Sequence, residues 1–144
     1  MPHPVIITRR VEFDAAHRLR EHESKCRHVH GHRYVVEASF SAPSLDNVGR
    51  VVDFGILKEK LEGWINANWD HTIILHKDDH ELGRFIDGHT GQTSFYMQTN
   101  PTAENMAAFL ANICREELFN GEDFTLVSLK LFETPNCSAT VSIG

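Results

Sequence analysis

The chain reads as an α+β protein in the order two strands, two helices, two strands, and three observations lead to that class. Two early stretches alternate apolar and polar residues with a period of two. Two later stretches place apolar residues every three or four positions behind a capping side chain, and the C-terminal part alternates again. No phosphate-binding loop or dinucleotide fingerprint interrupts that order. At 144 residues, 41% of them hydrophobic, the chain suffices for one domain, 1–144, built on its own core.

The first strand runs from Val5 to His17. Val5, Ile7, Val11, Phe13, Ala15 and His17 share one parity, Thr8, Arg10, Glu12 and Asp14 share the other, and Arg9 is the exception. Residues 18–28 are charged and aperiodic, which predicts a loop. A second strand follows from His32 to about Ala42, with His32, Tyr34, Val36, Ala38 and Phe40 on its apolar side. Pro43 to Arg50 is rich in turn formers. Asp53 reads as the N-cap of a helix that carries Phe54, Leu57, Leu61, Trp64 and Ile65 and ends near Asn68.

From His76 to Asn100 the chain is polar, holds Gly83, Gly88 and Gly91 and keeps no period, so an inserted loop is expected there. Thr102 reads as the cap of the second helix and Glu104 as a charge favourable to its first turn. Met106, Phe109, Leu110, Ile113, Cys114 and Leu118 form that helix's stripe, and Gly121 marks its stop. Phe124–Thr134 is the third strand, with Glu133 closing the parity of Val127, Leu129 and Leu131, and a short strand from Ser138 to Ile143 ends the chain.

A formal charge of −6 argues against nucleic acid or an anionic membrane as the main partner. The charge is unevenly spread. Residues 1–33 carry seven Lys or Arg against four acids, a local +3 that leaves −9 for the remainder. A basic neighbourhood of this kind suits a small anionic substrate, and equally a solvated charged loop. Cys26, Cys114 and Cys137 show no disulfide-framework spacing. With neither a signal peptide nor a stretch of membrane-span length, the chain reads as a soluble cytoplasmic protein.

The stretch from Cys26 to His32 (Cys-Arg-His-Val-His-Gly-His) carries the chemistry. If the first two strands pair antiparallel across the loop, His17 meets His30 and His32 on the inner face, because all three share the apolar parity. Three neutral imidazoles with a fourth position open are what a catalytic zinc takes, and burying such rings without a metal or hydrogen-bond partners is costly. His28 is expected to stay in the loop. Cys26 reads either as a fourth ligand or as a free thiolate base beside the metal. Asp70-His71 reads as a base with its orienting partner, or as an ordinary surface pair. Glu133 is either a strand-end residue reaching water or a carboxylate that accepts hydrogen bonds from an amidine-like edge such as that of a pterin or guanine.

Phe13-Asp14-Ala15-Ala16-His17, Cys26 through His32, Val52-Asp53-Phe54, Asp70-His71, Asn100-Pro101-Thr102-Ala103-Glu104 and Glu133-Thr134 stand in one order along almost the whole chain. Together they resemble the 6-pyruvoyltetrahydropterin and 6-carboxytetrahydropterin synthase family. The three residues between Cys26 and His30 are similar to the bacterial 6-carboxy branch. The resemblance implies a tunnelling fold, an antiparallel four-stranded sheet with two helices on one face, whose subunits form an oligomeric barrel, a tetramer or hexamer, with active sites at subunit interfaces. It implies Zn2+ on His17, His30 and His32, a catalytic set of Cys26, Asp70 and His71, and a pterin triphosphate substrate anchored by Glu133 near Thr102 and Glu104. The implied reaction turns 7,8-dihydroneopterin triphosphate into 6-carboxytetrahydropterin with loss of triphosphate and acetaldehyde, on the way to 7-deazaguanine and queuosine. Arg18, Arg20 and Arg27 are expected to steer the triphosphate.

Overall fold

The structure is a computed structural model and describes residues 4–144. Strands β1 (Ile7–His17) and β2 (His30–Ser41) pair antiparallel along their full length, from Ile7 opposite Phe40 to His17 opposite His30. β1 buries Val11, Phe13, Ala15 and His17, and β2 buries Tyr34, Val36, Ala38 and Phe40, so the inner face is the predicted parity. The outer face is a ladder of directly opposed polar pairs: Thr8 with Ser39, Arg10 with Glu37, and Asp14 with Arg33. Arg9, the residue that broke the alternation, points inward and reaches Glu62 at 3.6 Å on the first helix.

That helix, α1 (54–68), starts where the Asp53 carboxylate accepts the Gly55 N–H. Its middle turns, Lys58–Glu62, take π geometry. Strand β3 (Ile73–His76) follows, then a short turn, helix α2 (His80–Thr90) and strand β4 (Ser94–Met97). Helix α3 (103–118) is capped by the Thr102 hydroxyl, which accepts the Asn105 N–H at 3.1 Å, and ends in a second π segment, Cys114–Leu118. Strands β5 (Thr125–Thr134) and β6 (Cys137–Ser142) complete the chain.

Two expectations are corrected here. The sheet is six-stranded and mixed, in the order β4-β3-β1-β2-β5-β6, rather than four-stranded and antiparallel. β1 with β3, and β3 with β4, run parallel. Residues 76–100 are not a loop, because they contain α2 and β4, so the described residues hold three helices rather than two. The physical reason is short element length. β3 buries three consecutive apolar residues, Ile73 to Leu75, as doubly covered parallel strands do, and four residues are too few to show alternation.

The glycines of α2 misled in a different way. A Cβ on Gly83 would lie 2.0 Å from the Tyr96 hydroxyl, so this glycine permits close helix–strand packing. Gly91, at φ +73°, is the left-handed residue that ends the helix. One core unites the inner face of β1, β2 and β5 with Leu57, Leu61 and Ile65 of α1 and Met106, Ala107 and Leu110 of α3. No helix among the described residues is long and apolar enough to cross a membrane.

The segment after β3 is tied to the hairpin by one buried charge. Asp79, only 5% exposed, accepts two hydrogen bonds from the guanidinium of Arg18, the residue after His17. Removing one partner of such a pair strands the other, although Arg18 is about one-third exposed and recovers part of its hydration. Asp79→Ala should therefore destabilise the fold by roughly 1–3 kcal/mol, read from the urea midpoint.

Candidate metal centre and active site

The geometry of the site follows from strand parity. His17 and His30 are directly opposed across the hairpin, and His32 is opposite Ala15, two residues back on the same face. The ligating nitrogens of the three rings all lie within 4.8 Å of one another. His17 is fully buried, while His30 and His32 open partly toward solvent.

The hydrogen bonds fix the tautomers. A carbonyl oxygen can only accept, so His17 Nδ1–H donates to Pro101 at 2.8 Å and His30 Nδ1–H donates to His28 at 2.7 Å. Each ring is left with a bare Nε2, and the two nitrogens face each other at 3.0 Å. Two lone pairs at that distance need a proton or a cation between them. A backbone carbonyl on the far nitrogen is also how proteins orient metal-ligating histidines. Burial, followed by the nearby rings of His30 and His32, pushes the His17 pKa down to about 4, and burial is the first cause of a lowered pKa for His32. His17 is thus a neutral donor at physiological pH. The donor set fits a catalytic zinc, with three imidazoles and an open side.

Glu133 stands on that open side. Its carboxylate oxygen is 3.4 Å from His17 Nε2 and 3.6 Å from His32 Nε2. The β5–β6 register shifts between Phe132 and Thr134, and such an irregularity re-aims a side chain at the end of a strand. Tyr34, fully buried beneath the rings, has its hydroxyl 3.1 Å from His17 Nδ1.

Asp70 and His71 form a second group, with Asp14. His71 Nδ1–H donates to the Asp70 carboxylate at 3.0 Å, and Asp70 also accepts the Asp14 N–H at 3.1 Å. Partial burial opposes ionisation of Asp70. The Asp14 N–H, His71 and Arg33 outweigh that effect and hold its carboxyl below the usual range. His71 has φ +61°, a conformation other than glycine keeps only where its surroundings impose it. Here its N–H donates to the Asp14 carbonyl and its own carbonyl accepts from the Gln92 amide. The ring is exposed.

Cys26 lies in the short turn Lys25–Arg27 as a partly buried free thiol and is not among the atoms grouped with the three imidazoles. Asp70 and His71 cluster with Asp14, on the parity of β1 opposite to His17. Thr102 caps α3 and Glu104 is exposed on its first turn.

Sequence reasoning gave no role to several residues that hold these groups. Pro101 orients His17 through its carbonyl. Asn100 both accepts from the Arg20 N–H and donates to the Arg20 carbonyl, and Gln92 supports His71. Asn100 and Pro101 were visible as part of a motif, but a backbone acceptor 84 positions from its donor leaves no periodic trace.

An α+β sheet whose central hairpin gathers three imidazoles around an open position has the donor set of a metal centre. The chain belongs to the 6-pyruvoyl tetrahydropterin synthase family, whose model matches residues 6–143. It is 52% identical over 134 residues to the 6-carboxy-5,6,7,8-tetrahydropterin synthase of Rickettsia conorii, covering 93% of this chain and 97% of the relative. The protein of the same name from Rickettsia bellii is 49% identical with the same coverage. Among solved structures, an uncharacterized protein of Wolinella succinogenes shares the fold at a TM-score of 0.84 and 21% identity, covering 99% of both chains. The 6-pyruvoyl tetrahydropterin synthase of Caenorhabditis elegans does so at 0.67 and 22%, covering 99% of this chain and 97% of the other.

The pKa of His17 sets a pH dependence. Its folded value, about 4, lies below the unfolded 6.5, so between those values the unfolded chain binds the extra proton. Stability of the metal-free protein should be fully present above pH 6.5 and fall as the pH drops toward 4, by roughly 3 kcal/mol from this group. Urea unfolding across that window checks it, and His17→Phe should flatten the slope.

Proposed function

We propose that the protein is a zinc-dependent 6-carboxy-5,6,7,8-tetrahydropterin synthase, a carbon–carbon lyase that converts 7,8-dihydroneopterin triphosphate to 6-carboxytetrahydropterin with release of triphosphate and acetaldehyde, in 7-deazaguanine and queuosine biosynthesis. The observation that carries the reading is the pair of bare Nε2 atoms of His17 and His30, held toward one point by backbone carbonyls, in a chain about half identical to relatives of that name.

His17, His30 and His32 hold the metal, which when bound supplies a Lewis acid that makes neighbouring substrate hydroxyls more acidic. Glu133, whose carboxylate stands beside the His17 and His32 rings, takes hydrogen bonds from the amidine-like edge of the pterin. The Thr102 hydroxyl spends its acceptor side on the Asn105 N–H and keeps its proton to donate to the ligand. Glu104 stands two residues further along the same turn. Asp70 fixes the Nδ1–H tautomer of His71, so that His71 Nε2 is the atom that takes and returns a proton. Cys26 acts as the partnering base.

Cys26 belongs to neither the imidazole group nor the Asp14-Asp70-His71 group, and the reading includes a homo-oligomer in which the Asp70-His71 pair of one copy meets the Cys26 of another. The two edges of the sheet, β4 and β6, are where further strands can join. A soluble cytoplasmic location accords with such an activity.

Incubation of the zinc-loaded protein with dihydroneopterin triphosphate and mass analysis should yield 6-carboxytetrahydropterin and acetaldehyde. A 6-pyruvoyl product would replace the reading with that of the sister enzyme, and no turnover would replace it with a pterin-binding protein. Cys26→Ala should lower kcat by about 100-fold or more with zinc retained, since general acid–base groups typically contribute 100- to 10,000-fold. Loss of zinc in that variant would instead make the thiol a ligand.

A further inference from the structure

The loop between the two metal-bearing strands is basic, and the structure divides its cations into two kinds. Arg18 is consumed: both arms of its guanidinium are on the buried Asp79, whose carboxylate holds the Arg18 pKa above its ordinary value. Arg20 is only loosely engaged, 3.6 Å from the mostly exposed Asp78. Arg27 has no acidic partner within ion-pair distance among the described residues. These residues, with Glu21 and His28, line an open groove of about 360 Å³.

The groove is held in shape by backbone. Leu19 N–H donates to the Cys26 carbonyl at 3.1 Å, and the Asn100 side chain grips both the N–H and the carbonyl of Arg20 at 3.0 Å. Arg27 and His28 close their turn on the carbonyls of Ser24 and Lys25. The same loop reaches the metal centre directly, because the His28 carbonyl orients His30. Two guanidinium groups lining one groove repel each other, and a multiply charged anion relieves that repulsion while filling their fork-like donor sets.

We infer that Arg20 and Arg27 form the seat of the substrate's polyphosphate tail, with Arg18 a structural strut that does not touch it. The inference rests on the proposed synthase reading for the identity of the ligand and refines the expectation that all three arginines act alike. The groove adjoins the turn that carries Cys26, so a phosphate tail seated there leaves the remainder of an ester free to extend toward the imidazoles. Release of the tail as a free anion then vacates a site separate from the metal.

The test uses inorganic tripolyphosphate and the zinc-loaded protein, with zinc content measured in every variant so that coordination to the metal is common to all. Arg20→Gln and Arg27→Gln should each weaken tripolyphosphate binding by about tenfold or more, as loss of a charge-assisted bond does, and should reduce its dependence on salt. Arg18→Gln should change binding less than threefold while lowering the urea midpoint. Binding of dihydroneopterin, which lacks the phosphates, should be unchanged in Arg20→Gln and Arg27→Gln. Unaltered tripolyphosphate affinity in both of these variants, or a loss in Arg18→Gln equal to theirs without a loss of stability, overturns the inference. If tripolyphosphate binds as described but the unmodified protein gives no turnover, the groove stands and the synthase reading falls.

Discussion

The hydrogen bond from His17 Nδ1 to the Pro101 carbonyl is the contact on which the rest of the site depends. It joins the end of β1 to the residue before the Thr102 cap, so it fastens the sheet to α3 at the level of the metal centre. It also decides which nitrogen of His17 keeps its lone pair. Without it, ring rotation or the other tautomer would turn a proton toward His30, and the three-imidazole set would lose its most buried member. Proline suits that position because its fixed φ presents the carbonyl without offering an N–H of its own.

A second constraint comes from alternation. Along β1, Ala15 and His17 face the core while Asp14 and Ala16 face outward, so one strand serves two chemical groups at once. The inner side gives the imidazoles, and the main chain of Asp14, a residue of the outer parity, gives the contacts that hold Asp70 and His71. A shift of one residue in the β1–β2 pairing would exchange the two sets, which makes the register of His17 opposite His30 a chemical requirement as well as a packing one.

The sequence disclosed those parts of the molecule in which information is local. The hairpin, both capped helices and the C-terminal strand pair follow from periodicity within ten to fifteen residues, and convergence of the three histidines follows from parity once the hairpin is assumed. β3, α2 and β4 escaped notice because their pairing is parallel and distant, because two of them are four residues long, and because Gly83 answers to Tyr96 rather than to a turn. Within the site, the side chains that carry chemistry were legible by type. Their supports, Pro101, Asn100 and Gln92, act through amide and carbonyl groups brought close only by the tertiary fold. The division of the basic loop into an arginine on Asp79 and arginines at the groove is likewise invisible until Asp79, 61 residues from Arg18, is placed.

The π segments of α1 and α3 are linked to each other. Lys60, in the first, extends its ammonium to the carbonyl of Leu118, at the end of the second, and to the carboxylate of Glu122 just beyond it. A π turn accommodates one residue more than the α-helical turn it replaces, so each helix widens locally where the two meet. Joined through one side chain, the two π segments constrain each other: truncating Lys60 would release the end of α3 and the turn beyond it from the middle of α1.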